Sequence, residues 1–325
     1  MKNDRPKLLS VVSPAFCEAS NIGPFLTATM EVLERIRTTR GLDWEIILVD
    51  DGSTDDTWER MRQETERRPH LRCLRFSRNF GKEAAIAAGL AAAKGDVVIT
   101  LDSDLQHPPE LIEKMLDIWA QGNVEIVDAR KAVRQRESSG SRLFANWYYN
   151  CFKALTECDL KESSDFKLLD RRVVEAVKSL PERKRFFRGI TAWMGFRHGE
   201  VLFEPPDRVN GQTRWSVSQR IALAVDSMTS FSSKPILLIW GLTAIFYIFS
   251  IVVGGEAIWT HIQGNASTGF TTVILLVLLT GSAIMTALCV LSTYIHQTFQ
   301  EIKGRPSHLI SDTAESADHA ASDTP

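Results

Sequence analysis

Two long apolar runs constrain this chain more than any other feature. From Pro235 to Gly255, PILLIWGLTAIFYIFSIVVGG, 21 residues pass without a charge. As a helix rising about 1.5 Å per residue, that run crosses a hydrocarbon layer about 30 Å thick. A second run fits Phe270 to Tyr294. Two buried helices in a large soluble domain are the competing reading, but unbroken apolar length on this scale exceeds what an ordinary core needs. Lys234 precedes the first run and Lys303 and Arg305 follow the second, whereas the connecting EAIWTHIQGNASTG carries Glu256 and no Lys or Arg. These basic flanks predict a two-helix hairpin with both outer ends cytoplasmic. Neither run holds an acidic or basic side chain, which separates the hairpin from an ion pump or channel. The start, MKNDRPKLLSVVS, is too charged, and its apolar run too short, for a signal peptide. The large N-terminal part is therefore expected in the cytoplasm.

With 325 residues, 44% of them hydrophobic, the chain can hold one sizeable soluble core besides the hairpin. Short apolar runs alternate with helical patterns, as in a mainly parallel sheet covered by crossover helices. Strands are predicted at Leu8–Ser13, Trp44–Val49, Leu71–Phe76, Val97–Leu101 and Val124–Ala129. Helices are predicted at Ile22–Arg37, Asp56–Arg67, Glu83–Ala92 and from the Pro108-Pro109 pair to Trp119. Residues 130–210 follow neither period clearly, apart from a helix at Phe144–Leu155. Val217, Ile221, Val225, Met228 and Phe231 recur at helical spacing, which predicts an amphipathic helix lying in the membrane interface or packed on the soluble domain. The last residues, SDTAESADHAASDTP, lack the apolar side chains that offset ordering entropy and read as a solvated tail. The expected organisation is thus a soluble domain over 1–213, a juxtamembrane segment over 214–234, a two-span hairpin over 235–294 and a tail over 295–325 with its distal part disordered.

The chemistry concentrates in ITLDSDLQHPP, residues 99–109. An apolar strand ends in Asp102 and Asp104, and in an open α/β sheet the ligand crevice forms at the carboxyl ends of strands. A turn after Leu101 would bring both carboxylates to one cation, and their hard oxygens suit Mg²⁺ or Mn²⁺ bridging a diphosphate. Solvated loop acids are the alternative. Asp50-Asp51-Gly52-Ser53 ends the second predicted strand; either carboxylate can accept from a base or ribose, or cap the next helix. Neither GxGxxG nor GxxxxGK[ST] occurs, which counts against an NAD enzyme or a P-loop ATPase. Arg130, Arg188, Arg208 and Arg214 are candidate phosphate clamps. Asp165, in ESSDFKLLD, is a candidate for positioning an acceptor, for general-base catalysis, or for a plain turn. His107 either contacts a phosphate or is a hydrogen-bonded loop histidine. Five cysteines without a CxxC pair suit a reducing compartment. A net charge of −2 does not suggest a nucleic-acid binder.

Several motifs in order carry a resemblance: SVVSPAFCEASN, ILVDDGSTDDT, LRFSRNFGKEAAIAAGL, ITLDSDLQHPPELI, SDFKLLDRR, ERKRFFRG and DRVNGQTRWS, followed by two apolar spans. From about Leu8 to Tyr294 the chain resembles family 2 glycosyltransferases that act on polyprenyl phosphates, the dolichyl-phosphate mannose synthases and bacterial bactoprenol glucosyltransferases. GQTRW and the two spans favour the bacterial branch. The resemblance implies a cytosolic GT-A α/β domain in the bacterial inner membrane. It implies hexose transfer from a nucleotide diphosphate sugar, UDP-glucose in the glucosyltransferase branch, to undecaprenyl phosphate with inversion. Mannose or an amino sugar are the alternatives for the sugar, and a homo-oligomer, with a tetramer as one option, for the assembly.

The same resemblance carries residue roles. Pro14, Phe16 and Glu18 match the nucleotide region, with Asp51 ahead of Asp50 as the ligand in DDGS. Asp102, Asp104 and Gln106 match a divalent-ion site, Arg130 a donor contact, and Asp165 the catalytic or acceptor-positioning aspartate. Arg208 and Arg214 match basic positions near the donor phosphates. Phe16-Cys17 stands where Tyr-Asn is frequent, His107 where Asp or Asn is common, and Arg214 where Lys is common. Two other classes remain open on the residues alone: a non-catalytic protein binding sugar nucleotide and lipid phosphate, and a transporter, which only two spans disfavour.

Overall fold

The computed structural model describes residues 6–131, 163–180, 182, 186–203, parts of 244–263, and 270–316. The chain divides into two units. One contains residues 1–150, 158–214 and 306–325, and the other contains residues 151–157 and 215–305.

The first unit is built on one sheet. Its first half alternates strand and helix: β1 (Leu8–Ala15), α1 (Ile22–Arg40), β2 (Asp43–Asp50), α2 (Thr57–Arg67), β3 (Leu71–Phe76), α3 (Lys82–Ala92), β4 (Val97–Thr100) and α4 (Leu111–Ala120). The second half adds β5 (Ile126–Lys131), β6 (Ser163–Asp170), α5 (Arg171–Ser179), α6 (Phe187–Trp193), β7 (His198–Phe203) and, after the second unit, β8 (Ile310–Glu315). The eight strands lie in the order β7-β5-β6-β4-β1-β2-β3-β8. β4, β1, β2 and β3 form a parallel block. β6 joins β4 antiparallel, β5 runs antiparallel to β6, and β7 runs parallel to β5.

The sequence dictates the block directly. Seven of the eight residues of β1, and seven of the eight of β2, are buried, as expected where helices cover both faces of a parallel strand. Leu9, Val11, Ile46, Leu48, Val97 and Ile99 join Phe25, Leu26, Leu33 and Ile36 of α1 in one core. Gly89 lets α3 lie directly on β1, since a Cβ there would come 2.2 Å from Val12. The chain passes from β1 outward through β2 and β3, then crosses back to β4 on the other side of β1. That reversal opens a crevice between the carboxyl ends of β1 and β4.

The polar tail departs from expectation. Its composition predicts a solvated segment at Ser311–Ser316, yet β8 pairs antiparallel with β3 and Ser316 is buried. An edge strand gains its hydrogen bonds from the neighbouring backbone and needs no apolar run of its own. Ala314 packs on the core, and Glu315 lies 2.7 Å from the Arg72 guanidinium. Residues 317–325 lie outside the described residues.

In the second unit, α7 (Phe270–Ile302) covers the second predicted span, and its window Leu279–His296 is long and apolar enough to cross a membrane, with none of it buried. Among the described residues it is the one helix that meets that test. A shorter apolar helix, Ala244–Val253, falls in the first predicted span. The amphipathic segment at 214–234 and the helix predicted at Phe144–Leu155 lie outside the described residues.

Candidate active site

Four loops follow the parallel strands at one edge of the sheet, and they are stitched together by their own polar groups. The Cys17 N–H donates to Ser53 Oγ at 2.9 Å, and the Glu18 N–H to Thr57 Oγ1 at 2.9 Å. Ser103 Oγ donates to the Pro14 carbonyl at 3.2 Å. Cys17 and Leu105 have positive φ (55° and 57°), a conformation that costs a non-glycine residue about 1–2 kcal/mol. Strain of this kind persists where surrounding structure holds it and gathers at functional sites. Gly52 (φ 66°) answers a plain steric need, since a Cβ would come 2.3 Å from the Arg78 backbone.

The expectation that Asp50 and Asp51 face a donor base or ribose meets a different arrangement. Asp50 is fully buried and accepts from the Ser53 N–H at 2.9 Å. Asp51 accepts from the N–H groups of Phe80 (2.7 Å) and Gly81 (3.0 Å). Asp51 and one oxygen of Asp50 thus hold loops, while Asp50 Oδ2 lies 3.4 Å from Arg75 Nε. Burial raises the Asp51 carboxyl above its usual range against those two hydrogen bonds.

Glu18 stands in the loop after β1, with its carboxylate hydrogen-bonded to the Asn21 side chain. Burial raises its carboxyl, and after it the charges of Asp104, Asp55 and Asp102 do the same. The loops after β1, β2 and β4 therefore share one negative field. Phe16 is 45% exposed beside it. The Gln106 N–H closes the acidic turn onto Asp104 Oδ1 at 3.0 Å.

Next to that field lies an alternating array of charge. The Lys82 ammonium, at the first residue of α3, is 2.7 Å from Asp102 and 2.7 Å from Asp165. Arg188, in the first turn of α6, forks onto Asp165, with Nε–Oδ1 at 2.6 Å and Nη2–Oδ2 at 2.8 Å. Burial alone would raise the Asp165 carboxyl, but Arg188 and Lys82 outweigh it and hold the group well below the ordinary carboxylate range. Burial likewise disfavours the Lys82 cation, and Asp102 and Asp165 overturn it, raising that ammonium above its usual value. Glu83 accepts from the Phe187 N–H at 2.7 Å; burial first, then the charge of Asp165, pushes it up to about 7.

The structure thus brings Glu18, Asp102, Asp104, Asp165 and Arg188 to one edge of the sheet. Arg188, expected as a phosphate clamp, is engaged by Asp165. Arg130, at the end of β5, pairs with Glu200 at 3.2 Å. His107 is buried between the rings of Phe166 and Phe203. Arg208 and Arg214 lie outside the described residues.

The model of the family described as "Glycosyl transferase family 2" matches residues 10–177, the span that builds this edge through α5. The chain belongs to glycosyl transferase family 2. An uncharacterized glycosyltransferase of Synechocystis sp. is 35% identical, covering 94% of this chain and 95% of its own. A prophage bactoprenol glucosyl transferase homolog of Escherichia coli is 34% identical over 93% of this chain and 98% of its own. The bactoprenol glucosyl transferase of Shigella phage SfII is 33% identical over 93% and 97%. Among solved structures, mannosyl-3-phosphoglycerate synthase from Rubrobacter xylanophilus is similar at 17% identity and a TM-score of 0.48, over 69% of this chain and 73% of that one.

In this family 2 glycosyltransferase the site residue that sequence reasoning missed is Lys82. A signal for it was present. The positive end of a helix dipole repels a cation in the first turn, so a lysine opening α3 at the carboxyl edge of a parallel sheet calls for anionic partners. Glu83 is hidden in the same way, since in sequence it reads as an ordinary first-turn acid.

Proposed function

We propose that the protein transfers glucose from UDP-glucose to undecaprenyl phosphate, inverting the anomeric carbon and releasing UDP; mannose or an amino sugar is the alternative cargo. The bond from that carbon to the donor diphosphate breaks while a bond to a phosphate oxygen of the lipid forms on the opposite face. The observation that carries the reading is the array Asp102, Lys82, Asp165, Arg188 at the crevice edge. Two anionic substrates can meet only where cations offset their repulsion, and here two cations alternate with two carboxylates. Similarity to bactoprenol glucosyl transferases over 93% of the chain supports the lipid acceptor.

The hard oxygens of Asp102 and Asp104, with Gln106 beside them, suit Mg²⁺ or Mn²⁺, and the charges of Asp104, Asp55 and Asp102, which add to burial in raising the Glu18 carboxyl, make a negative field that such an ion would relieve. Among the described residues no group of three His, Cys, Asp or Glu side chains is placed to hold a metal ion; Asp102 and Asp104 would hold it together with oxygens of the donor. Once bound, the ion would neutralise the departing diphosphate. Phe16 offers an aromatic face to the base, alongside Pro14, and Arg130, Arg208 and Arg214 hold donor phosphates. Lys82 and Arg188 turn their remaining N–H groups to the acceptor phosphate. Asp165 positions both, and ionised between two cations it has little basicity to spare. A lipid phosphate is already anionic near neutral pH, so no proton need be removed.

A lipid acceptor also gives the apolar runs a purpose: paired as the hairpin that the sequence predicts, they would anchor the chain where the lipid phosphate lies, with the catalytic domain and both termini cytoplasmic. Holding donor and acceptor together lowers the orientation cost of transfer. The test tracks radiolabel from UDP-glucose and GDP-mannose into undecaprenyl phosphate, with Mg²⁺ or Mn²⁺ and after chelation. Organic-extractable label should require the metal and be lost in Asp102→Ala and Asp104→Ala while both variants melt as wild type does. Wild-type rates in both variants, or no label in lipid from either donor, would overturn the reading.

A further inference from the structure

The segment after α7 returns to the sheet, and it touches the strand and loop leading to Lys82. β8 pairs with β3 from Arg72–Glu315 to Phe76–Ile310. The ladder is closed at both ends. The Leu71 N–H donates to Ser316 Oγ (3.2 Å) and the Ser316 N–H to the Leu71 carbonyl (2.9 Å), and the Ser77 N–H donates to the Leu309 carbonyl (2.9 Å). Just ahead of β8, the His308 ring stacks on Phe76, with centroids 4.8 Å apart and planes 20° apart. Phe76 in turn meets Phe80 edge to face at 5.7 Å and 88°. The Phe80 and Gly81 N–H groups are the two that Asp51 holds, and Lys82 is the next residue. Contacts therefore run without a gap from His308 to the ammonium that bridges Asp102 and Asp165.

A strand added only to blunt a sheet edge needs charge and backbone pairing, which β8 already has. The ring stack is an addition, and it falls where the β3–β8 register shifts between Arg75 and Phe76. Such irregularities bend a strand and re-aim the chain beyond it. The chain beyond β3 is the turn Ser77–Gly81, whose glycine has φ 99°. Restraints on that turn come from Asp51 inside the sheet edge, from the Ser77 N–H bond to the Leu309 carbonyl, and from Phe76 against Phe80.

We infer that His308–Ser316 is a clasp that fixes the 77–81 turn and so sets Lys82 between the two carboxylates, with His308 as a positioning residue. Its catalytic consequence rests on the proposed role of Lys82; its structural half does not. The test uses the full chain in bilayers with His308→Ala and His308→Phe, read by amide hydrogen exchange over residues 77–83 and by steady-state transfer. Loss of one ring pair should speed exchange at Phe80 and Gly81 and lower kcat by about fivefold each, with the UDP-glucose KM moving less than about twofold. His308→Phe should restore both, which a merely electrostatic or folding role of the histidine would not allow. A chain ending at Arg305 should lose more, and a synthetic peptide of residues 306–320 should recover part of that loss. Wild-type exchange in His308→Ala, or equal impairment in His308→Phe, overturns the clasp whatever the transfer assay gives. Changed exchange in a protein that moves no sugar to lipid phosphate would leave the clasp standing and reject the site reading.

Discussion

Two charge networks two residues apart on β6 use the same chemistry to different ends. Lys167 is 1% exposed, pairs with Asp128, which is 2% exposed, and the His198 imidazole closes the group from β7, with Nδ1 2.6 Å from Asp128. Burial disfavours the Asp128 anion, but His198 and Lys167 hold its carboxyl down to about 2. In the other network Asp165 is equally buried, yet the side chains of its partners Lys82 and Arg188 are 41% and 34% exposed. The difference lies in where each strand position opens. Lys167 and Asp128 face one another across a paired part of β5 and β6. Asp165 lies beyond the last β4–β6 pair, Thr100–Lys167, where β4 has ended. Lys167 and Asp128 are shut away from solvent, whereas cations a third or more in water can exchange a carboxylate for a phosphate at little cost.

The contrast can be broken most directly by removing each lysine. Lys82→Met should lower kcat/KM for the lipid acceptor by about 10–10²-fold, the scale of one charge-assisted hydrogen bond worth about 1.5–3 kcal/mol. Its melting temperature should fall less than that of Lys167→Met, since Arg188 still forks onto buried Asp165 and the Lys82 side chain is 41% exposed. Lys167→Met should do the reverse. Asp128, left with His198 as its one partner among those named, should cost up to about 3–5 kcal/mol, visible in chemical denaturation, while the folded fraction turns over normally. Adding Asp128→Leu should recover much of that loss, because apolar replacement of a whole buried pair is often neutral. If Lys82→Met unfolds the protein and Lys167→Met merely slows it, the assignment of open and closed networks is inverted.

The same contrast explains what could be read from the sequence. The parallel block was legible because β1, β2 and β4 are continuous apolar runs, and because DDGS and DSD mark where they stop. β6 was not, since SSDFKLLD places Asp165 and Lys167 inside a central strand and only spatial partners make that tolerable. β7 and β8 are polar edge strands that borrow their hydrogen bonds, so periodicity misses them. At the site, the acidic residues were legible as types, but their pairing was not. Nothing in GKEAA says that Lys82 reaches two carboxylates 20 and 83 residues away, and nothing in DDGS says that Asp51 is consumed by the turn before α3.

A smaller effect separates the networks by pH. Glu83 borders the open one and sits at about 7, above the ordinary value for a glutamate, so the native state favours its protonated form. That contribution is whole below about pH 4.5 and is lost as pH rises through about 7. The melting temperature of Glu83→Gln relative to wild type should therefore climb by about 4–12 °C between pH 5 and pH 8, the response of a domain this size to a change of about 2–3 kcal/mol. Asp165 has the opposite sign: its depressed carboxyl contributes stability above its ordinary titration range that is lost only as pH falls through and below that range. Asp128, held near 2 in the closed network, should add no slope over pH 5–8. A flat Glu83→Gln difference would mean that burial beside Asp165 does not govern this acid.

The mildest probe reads access without altering a side chain in either network. Cys17 is exposed, between Phe16 and Glu18 on the crevice loop, whereas Cys73 is buried and its thiol is pushed up by burial, then by the Asp50 charge. A maleimide should label Cys17 in the native protein and leave Cys73 untouched, with peptide mass mapping separating Cys17 from the other cysteines. UDP-glucose at ten times its dissociation constant, with Mn²⁺, should slow labelling of Cys17 about tenfold, by occupancy alone. Buried Cys73 should stay unlabelled under both conditions. Because φ at Cys17 is fixed by the same loop that carries Glu18, protection there reports donor binding at the negative field itself. Equal labelling with and without nucleotide would move the donor away from the open network and remove the reason for calling it a site.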